Sequence, residues 1–252
     1  MATLETLAAG FLLVLARTSA LIMTAPLFGQ GSGFVAHRLA LVAGVSFLLY
    51  TVSGAPVEAT PVELALMILR EIVIGIFLGT LLLLVLAAVR LAGELIGQEM
   101  GFLVSRQVDP TTGVSSTLIL SIYENLFLLV LLALNGHHWL LSSLERSFAL
   151  APIGRVGLSA GMAQTVVTMF GEMCKAGIVF AAPVLVFLLV VSLLIGVLAR
   201  AVPGLNVLEA GFTLRILVAL GTMFLLAPLM EPAMRTLHRE LTTWLERGLG
   251  VL

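Results

Sequence analysis

Seven charged side chains interrupt the apolar stretches of this sequence and are the first candidates for chemistry. They are Arg17, Arg70, Glu71, Glu124, Glu172, Lys175 and Arg215. A charge that faces lipid costs about 2.5–3.5 kcal/mol on insertion scales, so these side chains should face other helices, another subunit or a water-filled cavity. Glu172 and Lys175 are spaced i,i+3, which places them on one helix face where they can pair.

Two interpretations of these charges are open. A transporter would use them as a proton or ion relay, which needs acids gathered on one face. The sequence has no such cluster, so we interpret Arg17, Arg70, Glu71, Glu172 and Lys175 as buried structural ion pairs between subunits. Arg70 and Glu71 are adjacent and point about 100° apart on a helix, so we expect each to need a different partner.

Glycines at helical spacing indicate where helices pack closely. Gly75 and Gly79 are four residues apart, and Gly93, Gly97 and Gly101 form two overlapping pairs of the same spacing. The missing side chains let helix backbones approach each other, which drives helix association in lipid. With 24 glycines one such pair is expected by chance, but three in register predict a tight helix contact.

Motifs for enzymatic chemistry are weak. Gly157–Gly161 matches the G-x-S-x-G pattern around Ser159, but a nucleophile elbow needs a preceding strand, and none is predicted. His137 and His138 are adjacent and cannot both face one metal ion from a helix, and Cys174 is the only cysteine. The sequence has no G-x-x-x-x-G-K motif for nucleotide binding. We therefore predict no enzymatic activity, catalytic residue, cofactor or metal site. An intramembrane hydrolase built on Ser159 is a weaker alternative.

The composition predicts a protein that lies in a membrane. Hydrophobic residues make up 60% of the 252 residues and charged residues only 11%, and the mean hydropathy is +1.16. A soluble domain carries roughly a quarter charged residues, so this chain would expose large apolar patches in water. The net charge of −1 gives no electrostatic case for a nucleic-acid partner.

The apolar stretches predict an all-α, multi-pass membrane protein of long helical hairpins. About six apolar helices are expected, at residues 7–28, 39–52, 62–101, 118–134, 162–198 and 212–229. Two of them, 62–101 and 162–198, exceed the roughly 20 residues that cross a bilayer, and Pro183 is expected to kink the second. An amphipathic helix at 231–252 should lie on the membrane surface or pack on a partner. No alternation typical of strands is visible, so one helical domain over 1–252 is predicted.

Several segments keep a common order and spacing over nearly the whole chain. They are Leu15–Ser19, Ala25–Gly29, Arg70–Gly75, Ala92–Gly101 followed by Asp109-Pro110, Asn135–His138 leading to Ser147-Phe148 and Pro152, and Ala199–Val207. Together these segments resemble the FliR family of type III secretion export-gate proteins, whose counterpart in injectisomes is SctT. The segment Gly136-His137-His138 favours the flagellar branch over the injectisome branch.

The resemblance implies a pore-forming, non-enzymatic subunit of the flagellar protein export gate in the bacterial inner membrane, at the flagellar basal body. Such a subunit assembles with two other small membrane proteins, FliP-like and FliQ-like, beside an FlhB-like export-switch protein. Unfolded flagellar subunits would pass through it, and membrane lipid would surround part of it. Two alternatives stay open here: an injectisome export-gate subunit of a virulence secretion system, and a small-molecule secondary transporter, whose usual internal repeat is not visible.

The same resemblance implies a pore-closing segment at about residues 101–116. Its candidate residues are Met100, Gly101, Phe102, Leu103, Asp109 and Pro110. Apolar side chains at its start can seal a pore by dewetting, and the Asp-Pro pair favours a turn that brings the chain back. An ordinary polar loop between helices is the competing interpretation.

Overall fold

The computed structural model describes residues 4–25, 35–53, 56–101, 118–153, 161–201 and 207–251. Within these residues the chain forms seven α-helices and no strand, which confirms the prediction of an all-helical protein. In chain order the helices are α1 (Leu4–Thr24), α2 (Val35–Ser53), α3 (Pro61–Glu99), α4 (Leu118–Ala133), α5 (Gly136–Leu150), α6 (Gly161–Ala201) and α7 (Val207–Leu249).

Helix length and composition limit how many of these helices can cross a membrane. In the described part of the chain α1, α3 and α6 qualify, and the bent pair of α4 and α5 makes a fourth if it is counted as one broken span. The expected six apolar helices are thus not all spans. The apolar parts of α2 (Ala36–Val52) and α7 (Gly211–Leu226) are too short to qualify.

The C-terminal helix differs from its prediction. The apolar stretch 212–229 and the tail 231–252 were expected to be two elements, but α7 is one helix of 43 residues that continues through Pro228 and Pro232. The composition changes near residue 231 without a break in the helix. What changes there is the exposure of the apolar side chains, which are largely exposed before this point and buried after it. The apolar face of the tail is buried within the chain, through Met234, Leu237, Leu241, Leu245 and Leu249, so it is not a free amphipathic surface.

The ends of the helices follow from local chemistry. Thr60 and Glu63 form a capping box before α3, in which the Thr60 N–H donates to the Glu63 carboxylate at 2.9 Å. Proline at the first helical position, Pro61, needs no hydrogen-bond acceptor there. Asn135 separates α4 from α5 in the left-handed region, with φ 56, which asparagine tolerates better than most residues.

The chain divides into two compact units. The first comprises Met1–Val85, Leu131–Gly171 and His238–Leu252. In it α1 packs on α2 and α2 packs on α5, and the tail of α7 packs on α3, because a Cβ added at Gly248 would lie 2.7 Å from a methyl of Leu81. Leucine and isoleucine side chains fill its centre, among them Leu13, Leu21, Ile22, Leu78 and Leu82.

The second unit comprises Leu86–Val130 and Glu172–Leu237. Here the C-terminal half of α3 packs closely on α4 and α6, and the rings of Tyr123 and Phe180 meet edge to face with centroids 5.5 Å apart. Within its most apolar window α6 is only 22% buried, whereas α3 is 67% buried. The helix α6 therefore presents most of its apolar surface outward.

Candidate functional site

A fully buried arginine joins three helices of the first unit. Arg17 of α1 and Glu71 of α3 have no solvent exposure, and the Arg17 Nε donates to a Glu71 carboxylate oxygen at 2.6 Å. The other guanidinium nitrogens of Arg17 donate to the Ser147 hydroxyl at 3.1 Å and to the Ala151 carbonyl at 2.8 Å. The guanidinium also lies 4.1 Å from the ring centroid of Phe148, a cation–π contact. Each of its nitrogens thus has a partner, and α5 is held by its C-terminal end.

Arg70 enlarges this cluster. Its guanidinium donates to the second carboxylate oxygen of Glu71 at 3.0 Å and to the Pro152 carbonyl at 3.3 Å. The expectation that Arg70 and Glu71 need different partners is therefore wrong, because the long arginine side chain bridges the angle between neighbouring positions. Two guanidinium groups share one carboxylate, and the remaining acceptors are the Ser147 hydroxyl and the Ala151 and Pro152 carbonyls at the C-terminal, negative end of the α5 dipole. Such an arrangement fixes three helices of one chain relative to one another, so the expectation that Arg17, Arg70 and Glu71 pair between subunits is wrong.

Two further ion pairs lie in the second unit. Arg90 of α3 contacts Glu124 of α4 at 2.5 Å, with side chains 33% and 22% exposed. Lys175 approaches Glu172 at 3.9 Å on α6, as the i,i+3 spacing predicts, but the side chains are 76% and 53% exposed. Glu172 and Lys175 are thus paired but not buried within this chain.

The glycines mark close helix contacts in both units. A Cβ at Gly75 would clash with the Arg17 carbonyl and lie 2.7 Å from the Ala20 Cβ, and one at Gly79 would clash with the Thr24 hydroxyl. These two glycines let α3 approach α1. In the second unit a Cβ at Gly93 would lie 2.7 Å from the Cα of Leu120, so Gly93 lets α3 approach α4.

The expected pore-closing segment begins where α3 ends. Gly97 and Met100 are buried. Gly101 has φ 92, a conformation that favours glycine, and a Cβ there would lie 3.1 Å from the Phe212 ring. The rest of the segment, with Phe102, Leu103, Asp109 and Pro110, lies outside the described residues. So does Ser159 of the G-x-S-x-G pattern.

Sequence reasoning missed most of the partners of Arg17. Ser147, Phe148 and Ala151 lie about 130 residues away in the chain, and no spacing rule connects them to α1. The available signal was indirect: an arginine inside an apolar helix needs acceptors, and a helix end followed by Pro152 exposes carbonyls. In the part of the chain that the structure describes, no group of three or more His, Cys, Asp or Glu side chains could hold a metal ion.

The long apolar helices and the buried ion cluster define a helical membrane protein. A family model for bacterial export proteins, family 1, matches residues 8–241. Among similar proteins, the flagellar biosynthetic protein FliR of Pectobacterium carotovorum subsp. carotovorum is 31% identical over 227 residues, which cover 89% of this chain and 86% of that protein. The FliR of Bacillus subtilis strain 168 is 33% identical over 217 residues, 83% and 82% of the two chains. The FliR of Escherichia coli strain K12 is 33% identical over 230 residues, 90% and 87%.

The chain therefore belongs to family 1 of the bacterial export proteins. Membership makes it a component of a transport apparatus rather than an enzyme.

Proposed function

We propose that this chain is a pore-forming subunit of the flagellar type III protein export gate, in the inner membrane at the flagellar basal body. Helix length is the observation that carries this proposal. The helices α3 and α6 have 39 and 41 residues, about 60 Å each at 1.5 Å per residue, whereas the apolar core of a bilayer is about 30 Å thick. Half of each apolar helix must therefore contact something other than lipid.

Protein partners are the best candidates for that contact. The outward apolar side chains of α6 include Val179, Val186, Leu189, Leu193 and Val197, each more than half exposed. An apolar surface that extends beyond the bilayer is stable only when other subunits cover it. We infer that FliP-like and FliQ-like proteins cover it, next to an FlhB-like export-switch protein, with unfolded flagellar subunits as the substrates. The names of the similar proteins favour the flagellum over an injectisome.

The gate is proposed to begin at the end of α3. The buried side chain of Met100 and the turn at Gly101 precede the segment that contains Phe102, Leu103, Asp109 and Pro110. Apolar side chains in a narrow pore exclude water and ions without a charged filter. Methionine adapts its shape to neighbouring groups, which suits a seal that must open around varied chains.

Co-purification tests the subunit assignment. The chain is expressed with the FliP-like and FliQ-like proteins of its own genome and purified in mild detergent. We expect one stable complex of all three proteins, and loss of motility when the gene for this chain is deleted. Recovery of a monomer or homodimer alone would refute the assignment and would favour transport of a small solute.

Deletion of residues 102–108 tests the gate. If this segment seals the pore, the deletion variant should make the inner membrane permeable to small ions, measured as growth inhibition and as collapse of the membrane potential. Cells that express the intact chain at the same level are the control. Equal permeability in the two strains, with the deletion variant still in the complex, would contradict the gate.

A further inference from the structure

Arg215 differs from the other charged residues of the apolar helices. Of the seven singled out in the sequence, the other six each form an ion pair within the chain. Arg215 is half-buried, its Nε is shielded from solvent without a hydrogen-bond acceptor, and the described residues offer it no ion-pair partner. It lies inside the apolar part of α7, Gly211–Leu226.

Arg215 lies on the buried face of α7. Gly211, Arg215, Ala219 and Thr222 follow each other at helical spacing, and the three residues around Arg215 are buried. Gly211 packs on α6, since a Cβ there would lie 3.5 Å from Ile195. Arg215 thus emerges at the edge of the contact between α6 and α7.

A guanidinium group keeps its charge and offers five N–H donors. A charge held in an apolar environment without a partner is unfavourable, so Arg215 requires an anionic acceptor that the described residues do not supply. A lipid headgroup would approach α7 on its exposed face, where Leu217 and Phe224 are 63% and 84% exposed. Arg215 lies on the opposite face of α7. Leu194, the neighbour in sequence of the Ile195 that contacts Gly211, is 54% exposed and offers apolar surface on α6 that suits a helix and not a phosphate.

We propose that Arg215 binds a carboxylate, from Asp or Glu, on an apolar helix of a partner subunit that packs at the edge of α6 and α7. This inference rests on the proposed function, because the partner is one of the small membrane proteins of the export gate. The carboxylate would pair with the one charge of these seven that has no ion-pair partner among the described residues, and the apolar side chains around it would exclude water.

The test compares Arg215→Leu with Arg215→Lys and with the control Arg200→Leu, which removes an exposed arginine at the end of α6. In the isolated chain, Arg215→Leu should raise Tm, because it removes an unpaired charge. In the co-expressed complex it should lower recovery about tenfold or more, because the partner's carboxylate is then buried alone. Arg215→Lys should retain much of the recovery, and Arg200→Leu should match the wild type.

A charge exchange then identifies the partner residue. Each Asp and Glu in the apolar segments of the co-purifying proteins is changed to Arg in combination with Arg215→Glu. We expect one combination to restore the complex that Arg215→Glu alone loses. If no combination restores the complex while the wild-type complex is stable, the inference is overturned.

Other outcomes separate the inference from the proposed function. A complex that survives Arg215→Leu unchanged would overturn the inference alone, and so would a lower Tm of the isolated Arg215→Leu chain, which would reveal an internal partner. Loss of co-purified phospholipid without loss of the complex would assign the anion to lipid and also overturn it. If the wild-type chain forms no complex, the proposed function fails and the inference falls with it.

Discussion

Substitution of Gly75 by alanine tests a close contact between α1 and α3 in the first unit. The added Cβ would lie 2.7 Å from the Ala20 Cβ and clash with the Arg17 carbonyl. Carbon atoms in contact prefer 3.5–4.0 Å, so α1 and α3 must separate by about 1 Å. Because Glu71 lies one turn before Gly75, the separation also stretches the Arg17–Glu71 hydrogen bond of 2.6 Å.

The expected loss in the free energy of unfolding is obtained by comparing two matched variants, Gly75→Ala and Gly171→Ala. Overpacking of this kind costs about 1–3 kcal/mol. Alanine also favours a helix over glycine by about 1 kcal/mol, a gain that any helical glycine shares. Gly171 of α6 is exposed, and a Cβ there would meet nothing within 4 Å, so Gly171→Ala measures the helix gain alone. The free energy of unfolding of Gly75→Ala should therefore be about 1–3 kcal/mol lower than that of Gly171→Ala.

Unfolding in mixed detergent and SDS micelles, followed by circular dichroism, gives the difference between the two variants. Equal changes in the free energy of unfolding would refute the reasoning, because they would mean that α1 does not press on Gly75. A Gly75→Ser variant should resemble Gly75→Ala, since its Cβ occupies the same space.

Three further predictions concern titratable and charged side chains. Arg17→Met should lower the free energy of unfolding by about 3–5 kcal/mol, because the carboxylate of Glu71 is then buried with a weaker set of partners; a loss below 1 kcal/mol in the same SDS assay would contradict the buried cluster. Arg90→Met should cost only about 1 kcal/mol or less, since its pair with Glu124 is partly exposed, and adding salt should reduce that cost further. Burial lowers the pKa of His238 below its ordinary value, so the unfolded chain binds the proton more readily, and stability should fall as pH drops through about 6.5 toward the pKa of the folded state. His238→Gln should flatten this part of the pH profile, and an unchanged slope would show that another group is responsible.

The sequence predicted the helices well where breakers flank an apolar stretch. The stretch expected at 118–134 forms α4 over Leu118–Ala133, and the Asn135-Gly136 pair separates it from α5. The stretch 39–52 was too short, because α2 begins at Val35 and includes His37 and Arg38. A polar first turn at a helix end resembles a loop in composition, so an apolar pattern underestimates such helices.

Side-chain partners were harder to predict than helices. That Arg17 and Glu71 avoid lipid follows from the cost of a charge in an apolar environment, but that they meet each other depends on how α1 and α3 pack. The burial of the α7 tail depends likewise on α3, which supplies Phe77 and Leu81 beneath Gly248. An amphipathic pattern shows that a face will be covered, and it does not show which helix covers it.

The chain separation of the Arg17 cluster has a consequence for synthesis on the ribosome. Glu71 follows Arg17 by 54 residues and Ser147 follows it by 130. At about 5–20 residues per second, α1 emerges roughly 3–11 s before the carboxylate that neutralises it. During that interval the translocon receives a helix with an uncompensated arginine, which disfavours the insertion of α1 by about 2.5–3.5 kcal/mol until α3 arrives.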